Sequence, residues 1–517
     1  MLFVRIADMK TDLDSLPNDL ESLKKIIAQQ SATIAYLEEK FRLAQHKQFG
    51  KSTEGYPGQG ELFNELEQLL DQLETEPVEA EKESITYERK KPVRKPLPKE
   101  LPREVITHDL ADEDKSCDDC GNDLHRMGED KSEQLEFIPA QIKVIEHVRP
   151  KYSCRHCEKS STKVGIKQAP VPVSPIPKSF ATASLLSQII TSKYQYGLPL
   201  YRQESLFKEY GIPLSRQTMS NWLIKCAGLL KPLYDTLHQH LLQQKVIQAD
   251  ETTLKVIESD KAKCYMWLYC TGTDSPDSNH TDTPNIVLYD FHESRASQCA
   301  VDFLQGHSGY LQVDGYQGYE STQASLAGCW AHARRKFKEA DIAQGKGKPK
   351  AGKATWAISH IKKLYRIEAL IKDKSPAEKQ AYRLEHASPL LEEYKAWLDK
   401  SILQVPPKSV LGKAIAYSLN QWPKLTRYLE DGQLNIDNNR AERAIKPFVI
   451  GRKNWLFSNT ASGAHASSIL YSIVETAKAN NLVPFDYLHH ALKVLSEPQD
   501  DEGMTNLLPW NVGFPLS

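Results

Sequence analysis

Three acidic residues have the type and spacing of a metal-binding catalytic site. Asp250 ends the apolar, β-branched run at residues 246–249, and Asp314 ends a similar run at residues 310–313. Such runs are typical of buried strands, and strand ends border the crevice in which α/β folds usually place ligands. Glu442 lies where a helix is predicted to begin. Two aspartates and a glutamate can hold two divalent cations roughly 3.5–4 Å apart, which favours in-line displacement at phosphorus.

Each acid taken singly has a simpler interpretation. An isolated aspartate at the end of a strand is more often a turn residue or a helix cap than a catalytic group. Glu251 follows Asp250 directly. Because side chains alternate along a strand, we expect Glu251 to point to the opposite face. The hypothesis therefore rests on Asp250, Asp314 and Glu442 together and leaves Glu251 out.

Length and composition are typical of a multidomain protein without a membrane segment. Its 517 residues are too many for one core. Hydrophobic residues make up 40% and charged residues 26%, which is ordinary for a soluble protein. The sequence contains neither a run of about eighteen apolar residues nor a secretory signal, which predicts a cytoplasmic protein without membrane contact.

A heptad pattern predicts that residues 1–50 form a coiled coil. Apolar residues recur every seven positions in two registers, with one polar interruption: Leu13, Leu20, Ile27, Ile34 and Phe41, and Leu16, Leu23, Gln30, Leu37 and Ala44. Strict heptads are typical of helices that self-associate, so the segment predicts a homo-oligomer. The alternative is an amphipathic helix that packs on its own protein.

Residues 51–108 are a predicted charged linker. Residues 61–83 carry nine acids and one lysine, whereas residues 84–103 carry seven basic residues and two glutamates. The basic, proline-rich part is expected to be extended and able to lie along phosphates, or else to be only a solvated tether.

Two Cys-x2-Cys pairs predict a zinc-binding module in residues 109–165. They are Cys117 with Cys120 and Cys154 with Cys157, four of the nine cysteines in the chain. In a reducing compartment such pairs favour a tetrahedral Zn²⁺ over disulfides. Four sulfur ligands leave no open position, so the metal is expected to be structural. The alternative is two unrelated buried cysteine pairs.

Residues 176–245 are predicted to be helical and to contain a helix-turn-helix-like pair. The predicted helices are residues 202–210 and residues 215–227, with Ser215 as the N-cap of the second. Trp222 is expected to face the core. Polar residues on the other side of the second helix are candidates for reading a DNA groove: Arg216, Gln217 and Asn221. A helical hairpin with no DNA role is the alternative.

Residues 246–475 are predicted to form a mixed sheet covered by helices. Three predicted strands, a helix and a strand ending in an aspartate are the order expected of a ribonuclease-H-like sheet, and residues 329–337 are predicted to be a fifth strand that passes into a helix. An all-helical insertion is expected at about residues 341–430, because the stretch between the second and third acids is too long for a loop. Residues 476–517 are a predicted C-terminal helical tail. The predicted fold class is therefore multidomain α+β.

Basic residues near the acids are candidates for phosphate contacts: Arg334, Arg335, Arg443 and Lys446. Arg443 has an equally simple interpretation as a charge partner on a solvated helix face. Cys329 and His332 have metal-binding side chains, but two ligands do not close a site. The sequence favours a structural role for this pair near the acids.

Several motifs resemble those of the DDE transposases of the IS-sixty-six family of bacterial insertion sequences. With the heptads and the cysteine pairs they span nearly the whole chain in the family's order: Gln248-Ala249-Asp250-Glu251-Thr252, Val313-Asp314-Gly315-Tyr316, Cys329-Trp330-Ala331-His332-Ala333-Arg334-Arg335, Asn438-Asn439-Arg440-Ala441-Glu442-Arg443 and Gly451-Arg452-Lys453-Asn454-Trp455. The resemblance implies a ribonuclease-H-like core with a helical insertion, and dependence on Mg²⁺ or Mn²⁺. It also implies that the catalytic acids are Asp250, Asp314 and Glu442, and that the family's Cys-x2-His motif is Cys329 and His332.

The resemblance implies phosphoryl transfer on DNA, with cleavage at the element ends followed by attack of the freed 3′-hydroxyl on target DNA. Two alternatives stay open, a catalytically silent DNA-binding regulator derived from a transposase and a ribonuclease-H-like nuclease without joining activity. The expected partners are element-end and target DNA, further copies of the chain, and accessory proteins encoded by the same element. The expected location is the nucleoid.

Overall fold

The computed structural model describes residues 19–49, 142–152, 167–273, 283–344 and 352–513. The chain divides into two compact units, of which the larger comprises residues 1–76 and 172–513 and the smaller comprises residues 77–171 and 514–517. All four cysteines of the predicted zinc module, and the predicted charged linker, lie outside the described residues.

In the smaller unit the described residues include a short antiparallel strand pair. Strand β1 is Lys151–Tyr152 and strand β2 is Lys167–Gln168. The Arg149 side chain donates from Nε to the Ala169 carbonyl at 2.8 Å, and the Gln168 amide donates to the Arg149 carbonyl at 2.9 Å. These bonds join Arg149, two residues before β1, to the end of β2 and the residue that follows it.

The larger unit contains a five-stranded mixed sheet with the order β5-β4-β3-β6-β7. Strands β3, β4 and β5 pair antiparallel, whereas β3, β6 and β7 pair parallel. The strands are β3 Val246–Leu254, β4 Cys264–Cys270, β5 Val287–His292, β6 Tyr310–Gln312 and β7 Ser325–Ala327. Strand β4, which lies between β5 and β3, is buried along most of its length, which explains its nearly continuous apolar sequence. The prediction of a mixed sheet accompanied by helices is confirmed.

The described helices of the larger unit are α1 Leu20–Phe49, α2 Ala183–Tyr194, α3 Leu200–Glu209, α4 Arg216–Leu242, α5 Ser297–Phe303, α6 Trp330–Gln344, α7 Lys353–Leu370, α8 Pro376–Ile402, α9 Val410–Asn420, α10 Trp422–Thr426, α11 Asn439–Trp455, α12 Ala461–Ala479, α13 Pro484–Val494 and α14 Asp501–Asn506. Among these described helices, none is long and apolar enough to cross a membrane.

The helix predicted to follow the fifth strand within residues 329–337 is confirmed, but the placement of that strand at Cys329 is wrong. Strand β7 ends at Ala327, and helix α6 begins at Trp330. The buried residues Trp330, Ala333 and Phe337 recur at helical spacing, so the apolar residues of this stretch line one face of a helix.

Helices α3 and α4 form the predicted helix-turn-helix-like pair. The Ser215 hydroxyl accepts a hydrogen bond from the Thr218 backbone N–H at 3.1 Å, which confirms Ser215 as the N-cap of α4. Trp222 is buried as expected. Helix α4 extends to Leu242, well beyond residue 227, because apolar side chains continue to be buried along it despite Pro232.

Helix α12 covers the edge of the sheet formed by β5. The Ser472 hydroxyl accepts from the Tyr289 N–H at 2.7 Å, and the Thr476 hydroxyl accepts from the Val287 N–H at 3.0 Å. Thr476 also donates to the Val287 carbonyl at 2.9 Å. Side-chain hydroxyls on the helix therefore satisfy backbone groups that an edge strand would otherwise leave unpaired.

Helices α6 to α10 share an aromatic core. Its largest fully buried members include Trp330, Phe337 and Tyr394. Arg383 on α8 is buried and makes four hydrogen bonds, two to the Glu368 carboxylate on α7 and one each to the carbonyls of Tyr428 and Asp431. Arg383 thus ties α8 to α7 and to the segment that leads toward α11.

Helix α1 packs against this helical group through polar contacts. Arg42 donates to the Ala343 carbonyl on α6 at 3.2 Å, and the Glu39 carboxylate accepts from the Val410 N–H of α9 at 3.2 Å. The apolar residues of the heptad that the structure describes as exposed are Leu20, Ile27, Ile34, Leu37 and Phe41. The helix therefore packs on its own protein without burying these heptad residues.

We expect Arg383→Met to lower the free energy of unfolding by about 3 kcal/mol, because it leaves the partly buried Glu368 carboxylate and two carbonyls without their donor. Denaturant unfolding followed by tryptophan fluorescence measures the change. Lys395→Met on the same helix removes only an exposed ion pair with Asp399 and should change stability by about 0.5 kcal/mol or less. Equal effects of the two substitutions would contradict this role for Arg383.

Candidate active site

Parallel pairing of β3 and β6 brings Asp250 and Asp314 to neighbouring positions. Gln248 is paired with Gln312, and each aspartate lies two residues further along its own strand direction. Residues two apart on a strand share a face. The buried Gln248 amide donates to the Gln312 side-chain oxygen at 3.1 Å, so this face carries a bonded pair of glutamines just before the two acids.

A tight turn after β6 orients Asp314. One carboxylate oxygen accepts from the Tyr316 N–H at 2.9 Å, and the intervening Gly315 has φ +104°, a conformation that favours glycine. The Tyr417 hydroxyl of α9 donates to the Asp314 carbonyl at 2.9 Å. Helix α9, one of the helices that share the aromatic core, therefore holds the backbone of Asp314. On β3, the Asp250 carboxylate accepts from the Glu251 N–H at 2.8 Å.

Asn438 fixes the start of α11 against the sheet. Its side chain donates to the Ala249 carbonyl at 2.8 Å, directly before Asp250, and its backbone N–H donates to the Cys329 sulfur at 3.2 Å. The preceding Asp437 is buried and accepts from the Tyr365 hydroxyl of α7 at 3.1 Å. These contacts place the first turn of α11, and Glu442 with it, beside the middle of β3. The prediction that Asp250 ends its strand is therefore wrong, because β3 continues to Leu254 through its pairing with β4.

Glu442 is a buried acid. It is 3% exposed, and neither of its carboxylate oxygens accepts a hydrogen bond from the described residues. Burial raises the pKa of Glu442 to about 8, and the charges of Asp437 and Asp314 act in the same direction while Arg335 opposes them. A carboxylate in this setting needs a cation or a proton.

Asp250 lies in the same electrostatic field. Desolvation raises its pKa well above the ordinary value, and the charges of Glu251, Asp314 and Glu442 raise it further. The structure therefore brings Asp250, Asp314 and Glu442 close enough to repel one another. Carboxylate oxygens arranged in this way can bind hard divalent cations.

Glu251, which strand alternation predicts to point away from the acids, has hydrogen-bond partners of its own, but its charge still raises the pKa of Asp250. Its carboxylate accepts from the Tyr319 hydroxyl at 2.7 Å and from Arg295 Nε at 3.0 Å. The Arg295 guanidinium lies 3.8 Å from the centre of the Tyr316 ring. Sequence reasoning missed Arg295, since nothing in its local sequence connects it with the acids.

Cys329 and His332 lie beside Glu442. The cysteine sulfur, a histidine ring nitrogen and a Glu442 carboxylate oxygen all lie within 4.8 Å of one another. His332 Nδ1 is 3.5 Å from Glu442 Oε1, but burial and the charge of Arg335 lower the pKa of His332 to about 4. The imidazole is therefore neutral at pH 7, and the contact is not an ion pair.

Two of the four candidate phosphate-contacting residues lie near Glu442. The charges of Arg335 on α6 and Arg443 on α11 both lower the pKa of Glu442, so both lie near it. Arg443 and Lys446 line a cavity of about 280 Å³ beside α2. The charge of Arg334 acts on Tyr365, the residue that holds Asp437.

The candidate groove-reading residues lie at the start of α4. Arg216, Gln217 and Asn221 are all exposed. The Gln217 amide donates to Asn221 at 3.1 Å, and the Arg216 backbone N–H donates to Glu204 at 3.1 Å. Their DNA contacts stay a prediction.

Sequence reasoning missed the residues that position the acids. Asn438 belongs to the motif that contains Glu442. Its position at the predicted start of a helix is the sequence signal that could have identified its role. Tyr365 and Tyr417 lie in helices far from the acids in sequence, and no local pattern marks them.

We expect Glu442→Gln to raise the midpoint of thermal unfolding in EDTA. Because the pKa of Glu442 is higher in the folded protein than its ordinary value of 4.5, the wild type loses stability as the pH rises from about 4.5 to about 8. The amide undergoes no such titration. The difference between variant and wild type should be small at pH 4.5 and reach roughly 2 °C at pH 8.5, the shift expected for about 2 kcal/mol in a unit of about 400 residues.

Differential scanning calorimetry at the two pH values measures this difference. Glu258→Gln, at an exposed position after β3, is the control and should behave like the wild type at both. If the difference between Glu442→Gln and the wild type is the same at both pH values, burial does not raise the pKa of Glu442 in the folded protein.

Comparisons with known protein families give four matches along the chain. Residues 178–466, more than half of the chain, match the family described as "Transposase IS66 family". The other matches are residues 114–158 to "zinc-finger binding domain of transposase IS66", residues 36–106 to "Transposase C of IS166 homeodomain" and residues 472–510 to "IS66 C-terminal element". They support a transposase with DNA as a partner and a structural zinc.

Similar full-length proteins come from Sinorhizobium fredii (strain NBRC 101917 / NGR234). Uncharacterized protein y4jD is 32% identical over 96% of this chain and 97% of its own length. Uncharacterized protein y4qI is 34% identical over 74% of this chain and 71% of its own length, and uncharacterized protein y4hP is 32% identical over 87% and 83%. On the family match and these identities, the chain belongs to the IS66 family of transposases.

Proposed function

We propose that the protein is a DDE transposase that binds the ends of its insertion sequence and catalyses Mg²⁺-dependent DNA cleavage and strand transfer. The observation that carries the proposal is the convergence of Asp250, Asp314 and Glu442, where both Glu442 carboxylate oxygens are buried without a hydrogen bond. Family membership supports a transposase in general. The acids supply the specific chemistry.

The arrangement of elements supports a ribonuclease-H-like core. Three antiparallel strands are extended by two parallel ones in the order β5-β4-β3-β6-β7. The first acid lies on the central strand, the second follows the neighbouring parallel strand, and the third lies on α11 after the helical group. In this interpretation α6 to α10 include the predicted insertion.

The donor set fits Mg²⁺ or Mn²⁺. Asp250, Asp314 and Glu442 offer only oxygen ligands, which both ions prefer, and their mutual repulsion is relieved by bound positive charge. When bound, such ions activate water and stabilise the charge that develops on the transferred phosphoryl group. The chain itself contributes the anchoring of α11 by Asn438 and of the second acid by Tyr417, which hold the three carboxylates in place.

The basic residues around the acids are suited to the DNA backbone. Arg335 and Arg443 lie near Glu442, so a phosphate that approaches the acids would meet their charges. Arg334 and Lys446 are further candidates for phosphate contacts. The exposed residues Arg216, Gln217 and Asn221 of α4 are proposed to contact the bases of the element ends.

The proposed structural zinc is bound by Cys117, Cys120, Cys154 and Cys157. All four fall within residues 114–158, the segment that matches the family's zinc-finger domain. Four thiolates complete a tetrahedral site, so this metal takes no part in the chemistry on DNA.

We expect Asp250→Asn, Asp314→Asn or Glu442→Gln each to reduce cleavage and joining by at least about 10³-fold while leaving binding to end DNA intact. The amide keeps the shape of the side chain but not the charge that holds the cations. Labelled end DNA incubated with Mg²⁺ or Mn²⁺ and target DNA reports both steps on a gel. Asp260→Asn, at an exposed position on the loop after β3, is the matched control and should retain full activity.

The same assay separates the alternatives. Cleaved ends without joined products would identify a nuclease, and specific end binding without either product in the wild type would identify a silent regulator. Undiminished joining by Glu442→Gln would remove the glutamate from the mechanism.

We also propose that α1 joins copies of the chain. Its exposed apolar residues Leu20, Ile27, Ile34, Leu37 and Phe41 follow the heptad, while polar residues of the helix contact α6 and α9 of the same chain. The two alternatives raised by the sequence are thus compatible, since one helix can pack on its own protein and still offer a seam to a second copy.

We expect the double substitution Ile27→Glu, Ile34→Glu to lower the oligomeric mass in analytical ultracentrifugation, because like charges would face each other across the seam. Ser22→Glu with Gln29→Glu adds the same charge away from these apolar positions and should leave the mass unchanged. If the double variant at Ile27 and Ile34 sediments like the wild type, α1 does not assemble the protein.

A further inference from the structure

Cys329, His332 and Glu442 together form a group of three different metal-ligating side chains. Their ligand atoms lie within 4.8 Å of one another, and His332 Nδ1 is 3.5 Å from Glu442 Oε1. Two donors bound to one tetrahedral Zn²⁺ at about 2.0–2.1 Å lie roughly 3.3 Å apart, so the observed separation needs little adjustment. The third ligand that the Cys-x2-His pair lacks in sequence is therefore supplied by α11.

The burial and the hydrogen bonding of these atoms are those expected of metal ligands. His332 Nδ1 and both Glu442 carboxylate oxygens are buried and take part in no hydrogen bond within the described residues. The Cys329 sulfur accepts from the Asn438 backbone N–H at 3.2 Å, a contact that would stabilise a thiolate and orient it. Unbonded buried polar atoms of this kind are costly unless a ligand satisfies them.

We propose that Cys329, His332 and Glu442 bind a borderline-soft divalent cation, Zn²⁺, at a site distinct from the all-oxygen site of the three acids. Thiolate and imidazole select Zn²⁺ over Mg²⁺, which prefers oxygen ligands and near-octahedral geometry. Binding converts the Cys329 thiol to a thiolate and releases its proton to solvent. The three protein ligands leave a fourth position for water.

The two sites share Glu442 and therefore compete for its carboxylate. A carboxylate turned toward Cys329 and His332 is withdrawn from Asp250 and Asp314, so Zn²⁺ at the soft site would stop the reaction that the acids support. This inhibitory consequence rests on the proposed function, whereas the binding of Zn²⁺ does not.

Counting zinc in the full-length chain tests the binding. Wild type, Cys329→Ser and His332→Gln are dialysed against the same low free Zn²⁺ concentration, and zinc per chain is measured by mass spectrometry. The wild type is expected to hold one equivalent more than either variant, and the four-cysteine module contributes equally to all three. Cys299→Ser, at another buried cysteine of the same unit, is the control and should keep the wild-type count.

Thermal unfolding shows which variants are folded, and one folded variant is sufficient for the comparison. A wild-type count equal to that of a folded Cys329→Ser or His332→Gln variant would overturn the proposal. A fall in the count for Cys299→Ser as well would also overturn it, because the loss would then not depend on this group of side chains.

Inhibition of cleavage tests the consequence. With Mg²⁺ held constant, added Zn²⁺ should inhibit the wild type, and Cys329→Ser should need at least about tenfold more Zn²⁺ for half-inhibition relative to its own uninhibited rate. Equal sensitivity of both proteins would place the inhibitory Zn²⁺ on the acids alone. If no protein cleaves DNA, the proposed function fails while the zinc count still decides whether the site exists.

Discussion

Asn438 is the point at which the candidate active site is held together. Its side chain bonds to the strand that carries Asp250, and its backbone bonds to the sulfur of Cys329 at the start of α6. Helix α11 begins at the next residue and carries Glu442 one turn later. These two hydrogen bonds therefore set the position of Glu442, which is separated from Asp314 in the sequence by a long helical stretch.

These contacts work against electrostatic repulsion. The charges of Asp314 and Glu442 raise the pKa of Asp250, and the charge of Asp314 also raises the pKa of Glu442, so in the absence of bound cations these two acids resist ionisation. The opposing stabilisation comes from the helices between β7 and α11, where buried aromatic side chains and Arg383 form a rigid core. Tyr365 and Tyr417 extend from this core to Asp437 and Asp314. These helices therefore help to hold the acids in position, and they also separate Asp314 from Glu442 in the sequence.

Much of the sheet and of the site could be predicted because the signals were local. Short apolar runs ending in an acid located β3 and β6, although β3 continues beyond Asp250 to Leu254. Alternation along β3 did not show that the charge of Glu251 still acts on Asp250. Strand β7 is only three residues long and offers too little periodicity to be recognised, while the adjacent Trp330 and Phe337 belong to a helix. The third partner of Cys329 and His332 could not be predicted, because Glu442 reaches them through the tertiary fold and no spacing rule connects them.

The hydroxyls of Ser472 and Thr476 on α12 also limit how copies of this protein can associate. They occupy the outward backbone groups of β5, and at the opposite edge Arg427 donates to the Leu326 carbonyl of β7 at 2.7 Å. A strand from another molecule would have to displace these side chains before it could pair with either edge. Continuous intermolecular sheets are therefore disfavoured, and the core is protected from the edge-to-edge aggregation to which open mixed sheets are prone.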